Sequence, residues 1–505
     1  MPDFILGDAA SMSGGGCGDA AARLRVELAG GVSLELLVAR GFCFETGDRL
    51  IRLGVPEAVL LRDVLASTFG EALAGLLLAR PAEEEDAVGI LGRARRLYAT
   101  RVARLEAARL RRRLGLLSGH ALVADIWPLV SRMARLQRVH VWLRRPYLST
   151  LSREGVGWLR GVARGIYAEH LFERLDPLLE RLVALSEKLP GPPSLGSVVR
   201  EAAQLQGFSP AGLLPVEVFM ESLAVKPHPL TRDPLLLVRL DAARLATRLM
   251  RFEEQLYRII GVERALRRRR SPIRSVELVE ASGITPAVVK NYRDFTAAKW
   301  VLVAAAAPYY PRPRTSPSRR LQAEYHYNRV LASRGFHVPD PILVDPRRLR
   351  AAYTYIEGRT LADLVAENPL HPVYREYGAL LARLHRGGVA LWDSNPTNVI
   401  ESGGRLYLVD LEQAREAASV AERAVDVAVA VYYTIPYSVA EVAKRAYMLA
   451  RAYIEAGGSP EAVMEASKYK YAAPFMTLAL PHLVEKARRA LARAALEASG
   501  GGETG

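Results

Sequence analysis

Between Leu391 and Glu412 the chain reads Leu-Trp-Asp-Ser-Asn-Pro-Thr-Asn, two short apolar runs, and then Asp410-Leu411-Glu412. The runs Val399-Ile400 and Leu406-Tyr407-Leu408-Val409 are joined by a glycine-bearing turn, so they are predicted to pair as a hairpin. Such a hairpin returns the chain to its start and brings Asn398 and Asp410 together at one open end. Upstream, Tyr374 to His385 carries leucines at 380, 381 and 384 and stops at Gly387-Gly388, which predicts a helix with a glycine C-terminal signal. An Asp-x4-Asn spacing alone is common by chance. The full order of helix, glycine pair, apolar lead-in, Asp-x4-Asn, hairpin and Asp is far more selective.

An asparagine amide oxygen and an aspartate carboxylate that reach one point are hard donors of the kind Mg²⁺ prefers, so Asn398 and Asp410 are the candidate metal ligands. Asp393 is placed to accept or orient an attacking hydroxyl, as phosphoryl transfer requires. The phosphates of ATP also need a cation whose position is fixed by a partner. Lys290 ends the apolar run Ala287-Val288-Val289, as a strand lysine should, and Glu324 follows on a predicted helix. Lys299, between Ala297-Ala298 and Trp300, is the rival; Lys290 is preferred. With only eight lysines in the chain, one at such a position is less easily dismissed as surface.

Around these residues lies a small strand-rich segment. Val276–Glu280, Ala287–Lys290, Lys299–Val303, Pro339–Asp345 and Ala352–Ile356 read as strands, with one inserted helix carrying Glu324. The expected fold class is α+β: a C-terminal two-lobed domain, 275–360 and 361–494, preceded by a mainly helical N-terminal region with a short β-hairpin. That region is divided into 1–80 and 81–268, with a basic linker at 269–274 and a disordered tail at 495–505. The hairpin is expected around Gly30-Gly31. Helices are expected over 58–79, 83–117, 120–140, 154–188 and 196–206, and a long one from about 235 to 267.

The 505 residues call for two or three domains, and the half that is apolar fits a globular chain. Charges interrupt every long apolar run, so no transmembrane segment, signal peptide or anchor is expected. Cys17 and Cys43 allow at most one disulfide and no cysteine-rich metal cluster, and a cytoplasmic location is expected. The net charge of +15 rests on arginine. The arginine-rich helix near residues 93–113 is either a surface for RNA, lipid or another acidic partner, or a solvated face; the solvated face is the preferred reading. Trp127, Trp142, Trp158, Tyr147 and Tyr167 are read as core rather than as a stacking platform.

Residues 275–490 resemble the protein-kinase-like superfamily, and its atypical members most. Val288–Arg293, the arginine-rich loop, Gln322-Ala323-Glu324, Gly335–Pro339 and Tyr355–Gly358 are similar in order to the small kinase/ATPase subunit of the KEOPS tRNA-modification complex. Asp410–Gln413 resembles the RIO kinases, and Asn395–Asn398 with Asp410–Glu412 resembles aminoglycoside and choline phosphotransferases. The resemblance implies ATP between two lobes near Glu357, Mg²⁺ on Asn398 and Asp410, and family roles for Lys290, Glu324 and Asp393. It also implies that Asp426 is a buried helix aspartate supporting the loop backbone. Leu391-Trp392 stands where relatives carry His-Gly or His-Arg, so packing of Trp392 is expected to anchor the loop instead. Ser282-Gly283 implies a short phosphate cover, and no Ala-Pro-Glu segment follows Asp410.

Three functions follow. The first is an atypical Ser/Thr protein kinase, the second a small-alcohol kinase, the third a nucleotide-binding pseudokinase scaffold. Retention of Asp393, Asn398 and Asp410 together disfavours the third.

Overall fold

The computed structural model describes residues 17–28, 31–123, 126–164, 238–246, 250–262, 267–270, 276–281, 284–293, 312–417 and 419–500. The expected strand at Lys299–Val303, the Ser282-Gly283 turn, the helix at 196–206 and Tyr167 lie outside these residues. The chain divides into two compact units, Met1–Arg113 with Ala121–Val238, and Leu114–His120 with Arg239–Gly505. The architecture is mixed α+β in both.

In the first unit the expected hairpin forms from β1 (Ala20–Glu27) and β2 (Ser33–Ala39), with Leu24 opposite Leu36 and Val26 opposite Leu34. Gly31, at φ +73°, takes the left-handed backbone that the turn requires. The hairpin is not alone, contrary to the short hairpin expected. With β3 (Cys43–Thr46), β4 (Leu50–Val55) and β5 (Glu83–Glu85) it makes a five-stranded sheet in the order β3-β4-β2-β1-β5. The missed strands are short or unusually polar. β5 is three glutamates, and it pairs because Arg23 and Arg25 on β1 face Glu85 and Glu83 across the edge. Cys17 and Cys43 form a disulfide with their Cα atoms 5.6 Å apart.

Helices α1 (Glu57–Ala66), α2 (Ala72–Leu78) and α3 (Ile90–Leu114) follow the sheet strands, then β6 (Ala121–Val123), α4 (Trp127–Val139), α5 (Arg144–Thr150) and α6 (Arg153–Ala163). Trp127, Trp142 and Tyr147 are buried, as the core reading requires, whereas Trp158 is only half-buried, with Arg95 5.3 Å from its ring centre. The polar core of this unit buries acids that arginines and backbone N–H groups hold. The buried Glu71 carboxylate is held by Arg132, by Arg101 at 3.5 Å and by the Tyr98 hydroxyl at 2.6 Å. Burial pushes Glu71 up, but Arg132, Tyr98 and Ser67 outweigh it and hold the carboxyl below its ordinary 4.5.

In the second unit the long helix expected from 235 to 267 is not formed over its described residues. β7 (Val238–Leu240), β8 (Arg244–Leu245) and α7 (Phe252–Ile260) stand there instead. Asp241 breaks the run by accepting the Ala242 N–H and the Tyr325 hydroxyl. Gly261, at φ +72°, ends α7. The basic linker is also corrected, since β9 (Arg267–Arg270) pairs with β10 (Val276–Ala281) and places Arg270 opposite Glu277 and Arg267 opposite Glu280. Strand pairing uses the backbone, so an arginine run is no obstacle at a sheet edge that sets acids across from it.

β11 (Ile284–Asn291), α8 (Pro317–Ser333), β12 (Pro341–Asp345) and β13 (Arg350–Thr354) complete a six-stranded sheet in the order β8-β12-β13-β11-β10-β9, with α8 inserted in sequence. Val279, Ala287, Val289, Leu343 and Ala352 share one apolar cluster with Phe252 and Leu256. β14 (Arg359–Thr360), α9 (Leu361–Glu367), α10 (Val373–Arg386), β15 (Val389–Ala390), β16 (Val399–Ser402), β17 (Arg405–Leu408) and β18 (Arg415–Glu416) follow. The chain then forms α11 (Val420–Tyr432), α12 (Val442–Glu455), α13 (Pro460–Ala466) and α14 (Pro481–Gly500). The tail expected from 495 is therefore helical to Gly500. Leu381, Leu384, Val425, Leu449 and Val484 centre a second, larger cluster.

Candidate active site

The Lys290 side chain is buried at the end of β11 and meets Glu324 of α8 at 2.7 Å. Helix α8 starts with Pro317 after Ser316, and buries Arg320, Ala323, Glu324, Tyr327, Asn328 and Leu331 at helical spacing. Glu324 is thus delivered to the strand lysine by an ordinary amphipathic face that happens to carry an acid. The same lysine reaches Asp410 at 2.5 Å and Glu412 at 3.7 Å. Arg320 donates to Glu412 at 2.7 Å.

Three carboxylates therefore surround two cations. Oxygens of Glu324, Asp410 and Glu412 lie within 4.8 Å of one another. All are hard donors, and the set fits a divalent ion such as Mg²⁺. Burial pulls Lys290 down, but Asp410, Glu324 and Glu412 outweigh it and hold the ammonium well above lysine's ordinary value. Burial pushes the Glu324 carboxyl up to about 7, against the pull of Lys290.

The loop from Leu391 to Asn398 joins this cluster's chain next to Asp410, where the Val409 N–H meets the Asn398 carbonyl. Trp392, at φ +63°, turns sharply before Asp393 and is buried, which meets the expectation of a packed tryptophan. Asp426, in the middle of α11, is also buried, and its carboxylate accepts the Leu391 and Trp392 N–H groups at 2.7 and 2.5 Å. Trp392 has help that the sequence reading lacked. His385, on the helix before the loop, sets Nε2 3.0 Å from Asp426 and Nδ1 2.8 Å from the Tyr453 hydroxyl. A histidine does anchor this loop, through Asp426 and from eight residues upstream of Asp393. The Ser394 hydroxyl donates to the Asp426 carbonyl at 2.6 Å, and the Tyr377 hydroxyl to the Ser394 carbonyl at 2.8 Å.

Asn398 donates its amide nitrogen to the Asp393 carbonyl at 3.1 Å, which leaves the amide oxygen as the end able to face an ion. The hairpin β16–β17 closes as predicted, and the Val409 N–H donates to the Asn398 carbonyl at 2.9 Å. Asp410 then takes left-handed backbone, φ +60°. Such a conformation is uncommon outside glycine and clusters at functional sites.

The structure thus gathers Lys290, Glu324 and Asp410, and ties Asp393 to Asn398. Glu357 is different. It is exposed on the crossover between β13 and β14, where Gly358 packs so tightly that a Cβ would overlap the Glu401 carbonyl. Three participants were missed in the sequence. Glu412 and Arg320 form a buried pair, and the Tyr292 hydroxyl donates at 2.6 Å to the same Glu324 oxygen that Lys290 holds. Tyr292 follows Lys290 by two residues, the strand period, and that was its only signal.

A family model described as the phosphotransferase enzyme family matches residues 276–391, which includes Lys290 and Glu324 and stops just short of Asp393. A probable serine/threonine-protein kinase BUD32 homolog from Archaeoglobus fulgidus is 30% identical over 139 residues, 28% of this chain and 69% of that protein. This chain belongs to the atypical protein-kinase-like superfamily, as a relative of the Bud32 kinases. By family it is an ATP-dependent kinase-like phosphotransferase.

Other relatives match over shorter spans. The KEOPS complex subunit Bud32 of Pyrococcus abyssi is 30% identical over 95 residues, 18% of this chain and 43% of its own length. A probable bifunctional tRNA threonylcarbamoyladenosine biosynthesis protein of Methanosarcina mazei is 30% identical over 116 residues, 23% of this chain and 19% of its own length. Among solved structures, the Rio2 kinase–ADP/Mg²⁺–phosphoaspartate complex from Chaetomium thermophilum aligns with 47% of this chain and 71% of its own, at 15% identity and a TM-score of 0.25. No described helix is long and apolar enough to cross a membrane.

Proposed function

We propose that the second unit is an ATP- and Mg²⁺-dependent kinase that phosphorylates a Ser/Thr hydroxyl, with residues 276–354 and 361–500 as its two lobes. The observation that carries this is the buried Lys290, held by Glu324 on one side and Asp410 on the other. In this reading Lys290 binds the phosphates of ATP and Glu324 fixes it. Asn398 and Asp410 hold Mg²⁺, which when bound neutralises charge on the transferring phosphoryl group. Asp393 orients the acceptor hydroxyl and takes its proton. Glu357 lies on the crossover where the nucleotide base is expected.

The left-handed backbone at Trp392 and Asp410 aims both aspartates from short, firmly anchored turns, as positioning catalysis requires. A small-alcohol acceptor is the second reading, favoured by the Asp410-Leu411-Glu412 run and the phosphotransferase match. Incubation with labelled ATP, alone and with sugars, choline and aminoglycosides, tests both. Label retained on protein supports the first reading, and label moving only to a small alcohol replaces it with the second. No transfer under any condition overturns both.

A further inference from the structure

Beside the loop that carries Asp393 stand two arginines that the proposed reaction leaves without a role. Arg314 donates through Nη1 to the Gln413 and Ala414 carbonyls at 2.7 and 2.6 Å. Arg415 donates through Nε to the same Gln413 carbonyl at 3.3 Å, and through Nη1 to the Arg312 carbonyl at 3.1 Å. Sharing one carbonyl oxygen sets the two like charges side by side. The Gln413 side chain fixes Arg314 further, accepting the Arg314 N–H at 2.8 Å and donating to its carbonyl at 3.0 Å.

The position of the pair relative to Asp393 is fixed. Arg415 lies opposite Ala390 in the β15–β18 register, and its guanidinium stacks 4.8 Å from the centre of the Trp392 ring, the residue before Asp393. Arg314 sits over Tyr327 at 5.9 Å.

Both side chains are half-buried, and among the described residues neither has a carboxylate within ion-pair distance. Their partners are neutral carbonyls and aromatic faces, and the Nη2 of Arg415 is shut off from solvent with no acceptor. Burial, and for Arg415 also its neighbour Arg314, pull both guanidinia below their ordinary value, Arg415 to about 10. Elsewhere in this unit the buried Arg320 has Glu412 as its acid, while the buried Arg445 stands alone among the Thr434 hydroxyl and the Ala440 and Ser438 carbonyls; Arg314 and Arg415 differ from both in being two cations on one carbonyl. Glu422 and Asp426 act on Arg415 without reaching ion-pair contact, so two partly desolvated positive charges stand side by side at a cost that a bound anion would offset.

We propose that Arg314 and Arg415 form a subsite for a phosphate monoester carried by the acceptor. The charge balance selects the ligand: a phosphate monoester dianion neutralises two guanidinia, whereas a carboxylate leaves one uncompensated, and planar guanidinium forks match phosphate oxygens. The acceptor's hydroxyl would face Asp393 while its phosphate rests on the arginine pair. That part of the inference rests on the phosphotransferase reading of the site. The anion subsite itself does not.

The test uses the full chain saturated with a non-hydrolysable ATP analogue and Mg²⁺, so that added phosphate has no access to the nucleotide side. Inorganic phosphate, glycerol phosphate and phosphoserine are titrated calorimetrically, with glycerol and serine as controls. The three phosphates are expected to bind with one site and the controls not at all. Arg415→Gln and Arg314→Gln are each expected to weaken binding by about tenfold or more, and Arg415→Lys, which keeps the charge, by less than Arg415→Gln. Binding unchanged in both Gln variants, or no phosphate binding to the wild type, overturns the subsite. Binding of inorganic phosphate but of neither ester overturns the acceptor assignment. Phosphate binding in a protein that transfers no label from ATP would leave the subsite standing and sink the kinase reading, so the two failures are separable.

Discussion

The two units each bury a charged cluster, and the clusters are mirror images. In the first, one carboxylate, Glu71, is enclosed by two arginines, Arg101 and Arg132. In the second, Lys290 and Arg320 are enclosed by three carboxylates, Glu324, Asp410 and Glu412. The first holds a carboxylate low and closed; it has no use for a cation. The second gathers three carboxylates around its cations, and one of its acids, Asp410, is partly exposed. A buried ion pair alone is thus no sign of chemistry. Its gathered carboxylates and its opening are, because a cluster that solvent reaches can also be reached by a ligand.

The largest expected difference between the units is in turnover. Asp393→Ala should lower phosphoryl transfer by about 10²–10⁴-fold while nucleotide binding and denaturant stability stay near wild type; wild-type turnover would remove the mechanism. Glu71→Ala should do the reverse. It strands Arg132 and Arg101 in a buried site, a loss of about 3–5 kcal/mol in urea unfolding, with turnover per folded molecule retained.

The two glutamates should also respond to pH with opposite sign. Glu71 is held below 4.5, so its stabilising contribution is complete above about 4.5 and is lost as pH falls through its lower folded value. Glu324 is raised from 4.5 to about 7, so the folded state binds the extra proton, and its contribution declines as pH rises from about 4.5 to about 7. Unfolding midpoints measured across that interval should fall less steeply in Glu324→Gln than in wild type. An identical slope would contradict the assignment. The smallest effect is expected for Tyr292→Phe, which removes one hydrogen bond to Glu324, about 1 kcal/mol. It should raise the KM for ATP more than it lowers kcat; an unchanged KM would mean that the hydroxyl does not help position the Lys290–Glu324 pair.

Much of the second unit was legible in the sequence because its signals are local. The helix ending at Gly387-Gly388, the hairpin from Val399 to Leu408 and the strand ending at Lys290 each carry their period and their punctuation within a few residues. The partnership of Lys290 with Glu324 followed from order alone. What stayed hidden depends on distant pairing. Glu412 looks like any acid until Arg320, 92 residues away, is folded against it. β8 forms because β12 lies beside it, and nothing in Arg244-Leu245 announces that. His385 was read as the end of a helix, and only the packing of α11 and α12 shows that it buttresses Asp426. In the first unit the polar core is likewise assembled from separate helices, so its sequence names no chemistry.

The central claim is that the carboxylate cluster around Lys290 and the anchored Asp393 form the two sides of one phosphoryl-transfer site. A structure of the full chain with a non-hydrolysable ATP analogue and Mg²⁺ tests it most directly. The account predicts the terminal phosphate between Lys290, Asp393 and Asp410, with the ion on Asn398 and Asp410. A nucleotide whose terminal phosphate points away from Asp393, or an ion held without Asp410, would contradict it.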